Sequence, residues 1–166
     1  MPFDVFERLV VGQGAPETYP ELPETVLRLP LDRDFEIPAV HALDHLLDRR
    51  GVDQRPAAQI RMALVEACLN AIHHGRASSP EDAFMEVRLA VGPHLVRITV
   101  SNPGLPKSPL GASLLRGHGR KILDSLMDSV QYDCNLNRTR VVLTKQIAGT
   151  VDRAEHEPAP TGGQRG

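Results

Sequence analysis

The stretch Glu66-Ala67-Cys68-Leu69-Asn70-Ala71-Ile72-His73-His74-Gly75 decides how the rest of this chain is read. It closes an apolar pattern running from about Gln54 to His74, long enough for several helical turns, with Gly75 placed to end the helix. At about 100° per residue, Ile60, Leu64, Ala67, Cys68, Ala71 and Ile72 fall on one side, and Glu66, Asn70, His73 and His74 gather on the other. Met62, Val65 and Leu69 carry the apolar surface well round the cylinder, so only a narrow polar strip is left. A solvated helix face normally carries Lys and Arg, and this strip carries a carboxylate and an amide four residues apart. Such a pair projects side by side, a geometry suited to holding a metal-bound phosphate while the carboxylate accepts a proton. A hydrogen-bonded Glu–Asn pair at a helix surface would leave the same trace. His73 and His74 diverge by about 100° and cannot jointly chelate an ion. His41 and His45 have helical i, i+4 spacing but lack a third ligand, so surface or capping roles suit all four histidines better.

Outward from this helix, Leu27, Leu29 and Leu31 alternate as in a strand, and Pro38 opens a helix carrying Val40, Leu43, Leu46 and Leu47 that Gly51 stops. Phe84 to Val91 alternates cleanly, and Gly92-Pro93 turns it into Val96, Ile98 and Val100 as a hairpin. A third helix presents Ile122, Leu123, Leu126, Met127 and Val130 on one side, and strands follow over Val130–Cys134 and Thr139–Ile147. The order strand, helix, helix, two strands, helix, two strands predicts a two-layer α/β sandwich, with helices on one face of a mixed, largely antiparallel sheet. Residues 12–24 and 151–166 are rich in Pro, Gly and charge and bury too little apolar surface to order themselves, so residues 1–24 and 148–166 are expected to be mobile and the predicted domain is 25–147.

Two glycine clusters lie where strand or helix ends. Asn102-Pro103-Gly104 directly follows the strand ending at Val100, where a tight turn would expose a short polar side chain and bare backbone. Gly117-His118-Gly119 precedes the third helix, so free backbone N–H groups meet the positive end of a helix dipole, a setting that welcomes phosphate. Arg120 and Lys121 in that first turn oppose the dipole unless an anion neutralises them. Taken alone, these are also an ordinary turn and a glycine-capped helix.

Together with the strand LRLPLDRD, the helix IPAVHALDHLL and the segment GHGRKILDSLMDSVQY, the Glu66–Gly75 run resembles the N box of the GHKL (histidine kinase-like) ATPase superfamily. Within it, the order and spacing are similar to the serine/threonine kinases that act as anti-sigma factors, over about Thr25 to Ile147. The resemblance implies a Bergerat-type ATP-binding fold with ATP and Mg2+ as cofactors. Glu66 would be the general base for a substrate serine, Asn70 would hold magnesium, and His74 would flank the phosphates. Gly117, His118, Gly119 and Arg120 would form the second glycine box over the phosphates, Asn102 and Gly104 the first, and Thr139 would lie near the adenine. The partners implied are a sigma factor, which the protein sequesters, and a STAS-type anti-sigma-factor antagonist whose serine it phosphorylates; a homodimer is expected.

The chain departs from the family pattern at the first glycine box, where an aspartate and two glycines are replaced by Asn102, Gly104 and Pro106. An Asn carbonyl accepts from the adenine amine without charge, so weaker nucleotide binding is expected. Arg120 replaces an apolar residue, Arg138 stands where a glycine precedes Thr139, and residues 105–116 leave little chain for an ATP lid. Two readings follow: a working kinase, or a GHKL-fold module that sequesters partners without catalysis. The detached ATPase domain of a histidine kinase is disfavoured, because the residues before Thr25 are too few and too Pro-rich for a phospho-accepting helix pair.

Composition narrows the class. The chain has 166 residues, 24% charged, with a net charge of −2, and such a balance gives no broad basic surface for nucleic acid. No apolar run approaches a membrane span, Asp4 and Glu7 contradict a signal peptide, and Cys68 and Cys134 lack metal or redox spacing. A cytoplasmic protein with reduced thiols and no membrane contact is expected.

Overall fold

The computed structural model describes residues 21–104, 118–135 and 137–149. Five strands, β1 (Thr25–Pro30), β2 (Phe84–Val91), β3 (Leu95–Pro103), β4 (Ser129–Asn135) and β5 (Arg138–Gln146), form one sheet in the order β1-β2-β3-β5-β4. Every pairing is antiparallel, one step beyond the largely antiparallel sheet expected from the sequence. Among the described residues three α-helices, α1 (Glu36–Arg50), α2 (Gln54–His74) and α3 (His118–Leu126), cover one face, with α2 packed against both of the others.

The alternation of each strand sets what the helices cover. Leu27, Val87, Val100, Val141 and Tyr132 align across the sheet in register on the helix side. They meet Leu43 and Leu47 of α1, Ile60, Leu64 and Cys68 of α2, and Leu123 of α3 in one buried cluster. The next row over, Arg28, Glu86, Ser101, Arg140 and Asp133, falls on the opposite face by the same period of two. Burying the larger aliphatic side chains contributes roughly 1.5–3 kcal/mol each, so this interdigitated layer fixes the orientation of α2. Arg61 of α2 also donates to Asp44 of α1 at 2.7 Å.

Several boundaries differ from the sequence reading. Helix α1 starts at Glu36, which puts Pro38 in the first turn, where its missing N–H costs nothing because that donor has no helical partner. Gly51 ends α1 with φ 66°, as a stop glycine does, whereas Gly75 ends α2 at φ −57° and ψ 138°, extended rather than left-handed. Strand β3 runs to Pro103 rather than stopping at Val100, because β5 offers partners to its end, Asn102 opposite Thr139 and Pro103 opposite Arg138. Helix α3 ends at Leu126, so Val130 is a strand residue, and Ile122 is 40% exposed instead of joining the apolar side. The mobility expected of the termini concerns residues that mostly lie outside the described ones; of these, Glu24 pairs with Arg88 and Arg97 across β2 and β3.

Candidate functional site

The polar strip of α2 is half-buried at Glu66 and Asn70 and exposed at His73 and His74. What lies over it is the first turn of α3. A methyl group added to Gly119 would stand 2.6 Å from Glu66 Oε1 and 3.0 Å from Asn70 Nδ2, so only a glycine allows this approach. The N-terminal end of a helix, whose dipole favours anions, therefore meets the carboxylate and amide that the strip presents. His74, exposed at the end of α2, is held below the ordinary histidine range, first by partial desolvation of its ring and then by the charges of His73 and Arg76.

At the end of β3 the first glycine cluster forms a second group. Asn102 is 9% exposed, and its Nδ2 donates to the Pro103 carbonyl at 3.0 Å, leaving its Oδ1 as a free acceptor among the described residues. Gly104 has φ +95°, a conformation that an L side chain rarely adopts, and an added methyl would also meet Arg76 N at 2.9 Å. The Pro103 carbonyl accepts from Arg76 N at 2.9 Å, tying this corner to the end of α2. Thr139 Oγ1 donates to the Gly104 carbonyl at 2.8 Å. Asn102 and Thr139 are cross-strand partners two residues from the buried pair Val100 and Val141, so both face the helix side.

Arg138, one residue earlier, must then point to the opposite face. There it lines a cavity of about 150 Å3 with Arg28, Asp82, Phe84, Met85, Glu86 and Ser101. Strand alternation thus places Arg138 and Thr139 on opposite faces of the sheet. Gly117, the side chain of His118, and Pro106 lie outside the described residues.

Sequence reasoning missed four neighbours of the site. Arg76 braces the first glycine cluster, and Asn137 accepts from Gly104 N at 2.7 Å. Tyr132 and Asp124 gather around Arg120, which pairs with Asp124 at 3.4 Å and lies 5.3 Å from the centre of the Tyr132 ring. Burial pushes the Tyr132 phenol up, with Arg120 opposing and Asp124 and Glu66 adding to the shift, so those three charges lie within electrostatic reach of its hydroxyl. The i, i+4 spacing of Arg120 and Asp124 was a readable signal; the approach of Tyr132 from β4 was not. Cys68 is fully buried, and burial pushes its thiol up to about 12, while Cys134 is half-buried; both are free thiols. Among the described residues no His, Cys, Asp and Glu cluster could hold a metal ion by itself, and no helix is long and apolar enough to cross a membrane.

A two-layer sandwich with a Glu–Asn strip facing a glycine at a helix N-terminus defines a class of nucleotide-binding domain. Residues 31–145 match the model of the histidine kinase-like ATPase domain, and the chain belongs to that family. Among solved structures it is similar to the RsbU and RsbW domains of Rv1364c from Mycobacterium tuberculosis, at 21% identity and a TM-score of 0.60, covering 78% of this chain and 34% of that one. The chain thus spans about a third of the length of that structure. It is also similar to the SiaB–SiaC complex from Pseudomonas aeruginosa, at 14% identity and a TM-score of 0.57, covering 72% of this chain and 88% of that one. At these identities the likeness establishes the fold. No curated protein sequence matches.

Membership of this family implies ATP binding, and the residues present fit the group. The Asn102 Oδ1 is an acceptor of the kind an adenine amine needs. Glu66 and Asn70 supply oxygens suited to a hard cation, and Gly119 keeps side-chain bulk away from them.

Proposed function

We propose that the protein is an ATP-dependent serine kinase and anti-sigma factor of a bacterial partner-switching module, acting in the cytoplasm on a STAS-type anti-sigma-factor antagonist. The observation that carries this reading is the approach of Gly119 to Glu66 and Asn70, which joins a proton acceptor, a metal-binding oxygen and a helix N-terminus at one point. Asn102 Oδ1 would accept from the adenine amine, and the Thr139 hydrogen bond to the Gly104 carbonyl holds the neighbouring turn. The Asn70 amide oxygen would hold magnesium, which would supply charge neutralisation to the phosphates. His74 flanks the phosphates from the exposed end of α2.

Glu66 takes the proton of the substrate serine hydroxyl as the serine oxygen bonds to the γ-phosphorus. The bond from that phosphorus to the bridging oxygen breaks, and ADP leaves. One structural neighbour carries an RsbW domain alongside an RsbU domain, and another is a two-protein complex, which supports a protein partner for this chain. The same reading includes a homodimer through the edge strand β1, where Val26 is 50% exposed. Light scattering should then report twice the chain mass, and a monomer at high concentration would remove that part.

A second reading, a sequestering module without catalysis, is favoured by Asn102, a neutral acceptor where the family pattern has a charged aspartate. Glu66→Gln separates the two, because the amide conserves shape and loses the proton acceptor. Calorimetry should show Mg-ATP binding by both forms, and phosphoryl transfer to the antagonist should vanish in the variant. Transfer at the parent rate would refute the role of Glu66; absence of binding in both would favour sequestration.

A further inference from the structure

Arg120 is a cation in the first turn of α3, the place where a helix dipole least favours one. It is nonetheless well accommodated. Its side chain is 20% exposed, with the guanidinium paired with Asp124 one turn on and lying over the Tyr132 ring of β4. Its chain neighbour Gly119 is the residue that touches Glu66 and Asn70. The cluster therefore pins the first turn of α3 to the sheet edge at the point where that turn meets the α2 strip.

Two sets of partners compete for this guanidinium. One is Asp124 and Tyr132, already in place. The other is the triphosphate that the proposed function brings to the same helix N-terminus, an anion that arginine binds bidentately and more strongly than it binds one exposed carboxylate. We propose that Asp124 and Tyr132 are positioning residues that hold Arg120 in reserve, and that phosphate draws the guanidinium away from them, so that the two residues set nucleotide affinity by competition. The inference rests on the nucleotide-binding reading above and extends it to two residues with no assigned role. It also accounts for an arginine next to a glycine box: the cation is neutralised by Asp124 until a phosphate replaces that carboxylate.

Asp124 is 51% exposed, so Asp124→Asn should leave the fold intact. Freed from its ion pair, Arg120 becomes more available, and Mg-ATP affinity should rise about twofold; Tyr132→Leu, which removes the ring beneath the guanidinium, should add a factor of about two to five. Damage to the fold would lower affinity, so a gain is a readout that a merely structural role could not produce. Calorimetric titration with Mg-ATP of the parent, Asp124→Asn, Tyr132→Leu and each of these with Arg120→Leu closes a double-mutant cycle. Gains that vanish in the Arg120→Leu background support the competition. Unchanged or reduced affinity for both single variants, with the parent binding normally, overturns the inference and leaves the proposed function standing. If no protein in the series binds Mg-ATP, the nucleotide-binding reading fails and the competition falls with it.

Discussion

Adding a single methyl group at Gly119 tests the candidate site most directly, because the structure separates its effect on folding from its effect on chemistry. Gly119 has no left-handed backbone requirement and lies in the first turn of α3, where alanine is a better helix former than glycine by up to about 1 kcal/mol. The backbone therefore tolerates Gly119→Ala. The new methyl would stand 2.6 Å from Glu66 Oε1, and an ordinary contact begins at 3.4 Å, so the carboxylate must move by about 0.8 Å; the Asn70 amide at 3.0 Å must move by about half as much. Both atoms are ends of side chains that rotate away at little cost. Chemistry is less forgiving, since a misplacement of about 1 Å in a reacting constellation costs on the order of 10²-fold in rate. Thermal unfolding should thus report unchanged or slightly raised stability. Single-turnover phosphoryl transfer to the antagonist should fall by roughly 10²-fold. A variant that transfers phosphate at the parent rate with parent stability would show that Gly119 does not sit against Glu66 during the reaction.

Asn102→Asp replaces the neutral acceptor with a charged one and removes the donor to the Pro103 carbonyl, which keeps its bond from Arg76 N. ATP affinity should rise several-fold for a gain of about 1 kcal/mol while stability falls by a similar amount; GTP, presenting a carbonyl where ATP presents an amine, should gain nothing, and equal gains for both nucleotides in calorimetry would refute the adenine contact. Asn70→Ala should abolish magnesium-dependent nucleotide binding, and equal Mg-ATP affinity in variant and parent would end that assignment. Because the His74 pKa is lowered by folding, the unfolded chain binds more protons there, so this residue's contribution to stability is present above the unfolded value of 6.5 and is lost as pH falls below it. Urea midpoints at pH 7.5 and 5.5 should differ by less in His74→Gln than in the parent, and an identical difference would exclude the histidine.

Much of the fold was legible in local pattern. The period of α2 and the clean alternation of β2 each follow from side chains that must face one core, and a period of 3.6 or 2 survives in the sequence whatever the neighbours are. The strip of Glu66 and Asn70 was legible for the same reason, as two polar residues on a helix with few others. Boundaries set by a distant partner were not. β3 continues through Asn102 because β5 lies beside it, and Val130, read both as the end of the third helix and as the start of a strand, belongs to the strand alone because β4 pairs with β5 there.

Sequence alone therefore determined the layers, the helix that carries the strip and the residues within it, since these depend on spacing along one element. The tertiary structure decided which groups meet: Gly119 against Glu66, Arg120 over Tyr132, Thr139 beneath Gly104, and Arg138 turned to the far side of the sheet. Each of the three contacts joins elements that are separated in the chain, and the side Arg138 takes follows from which face of the sheet the helices cover. Packing sets both, and no local period records them.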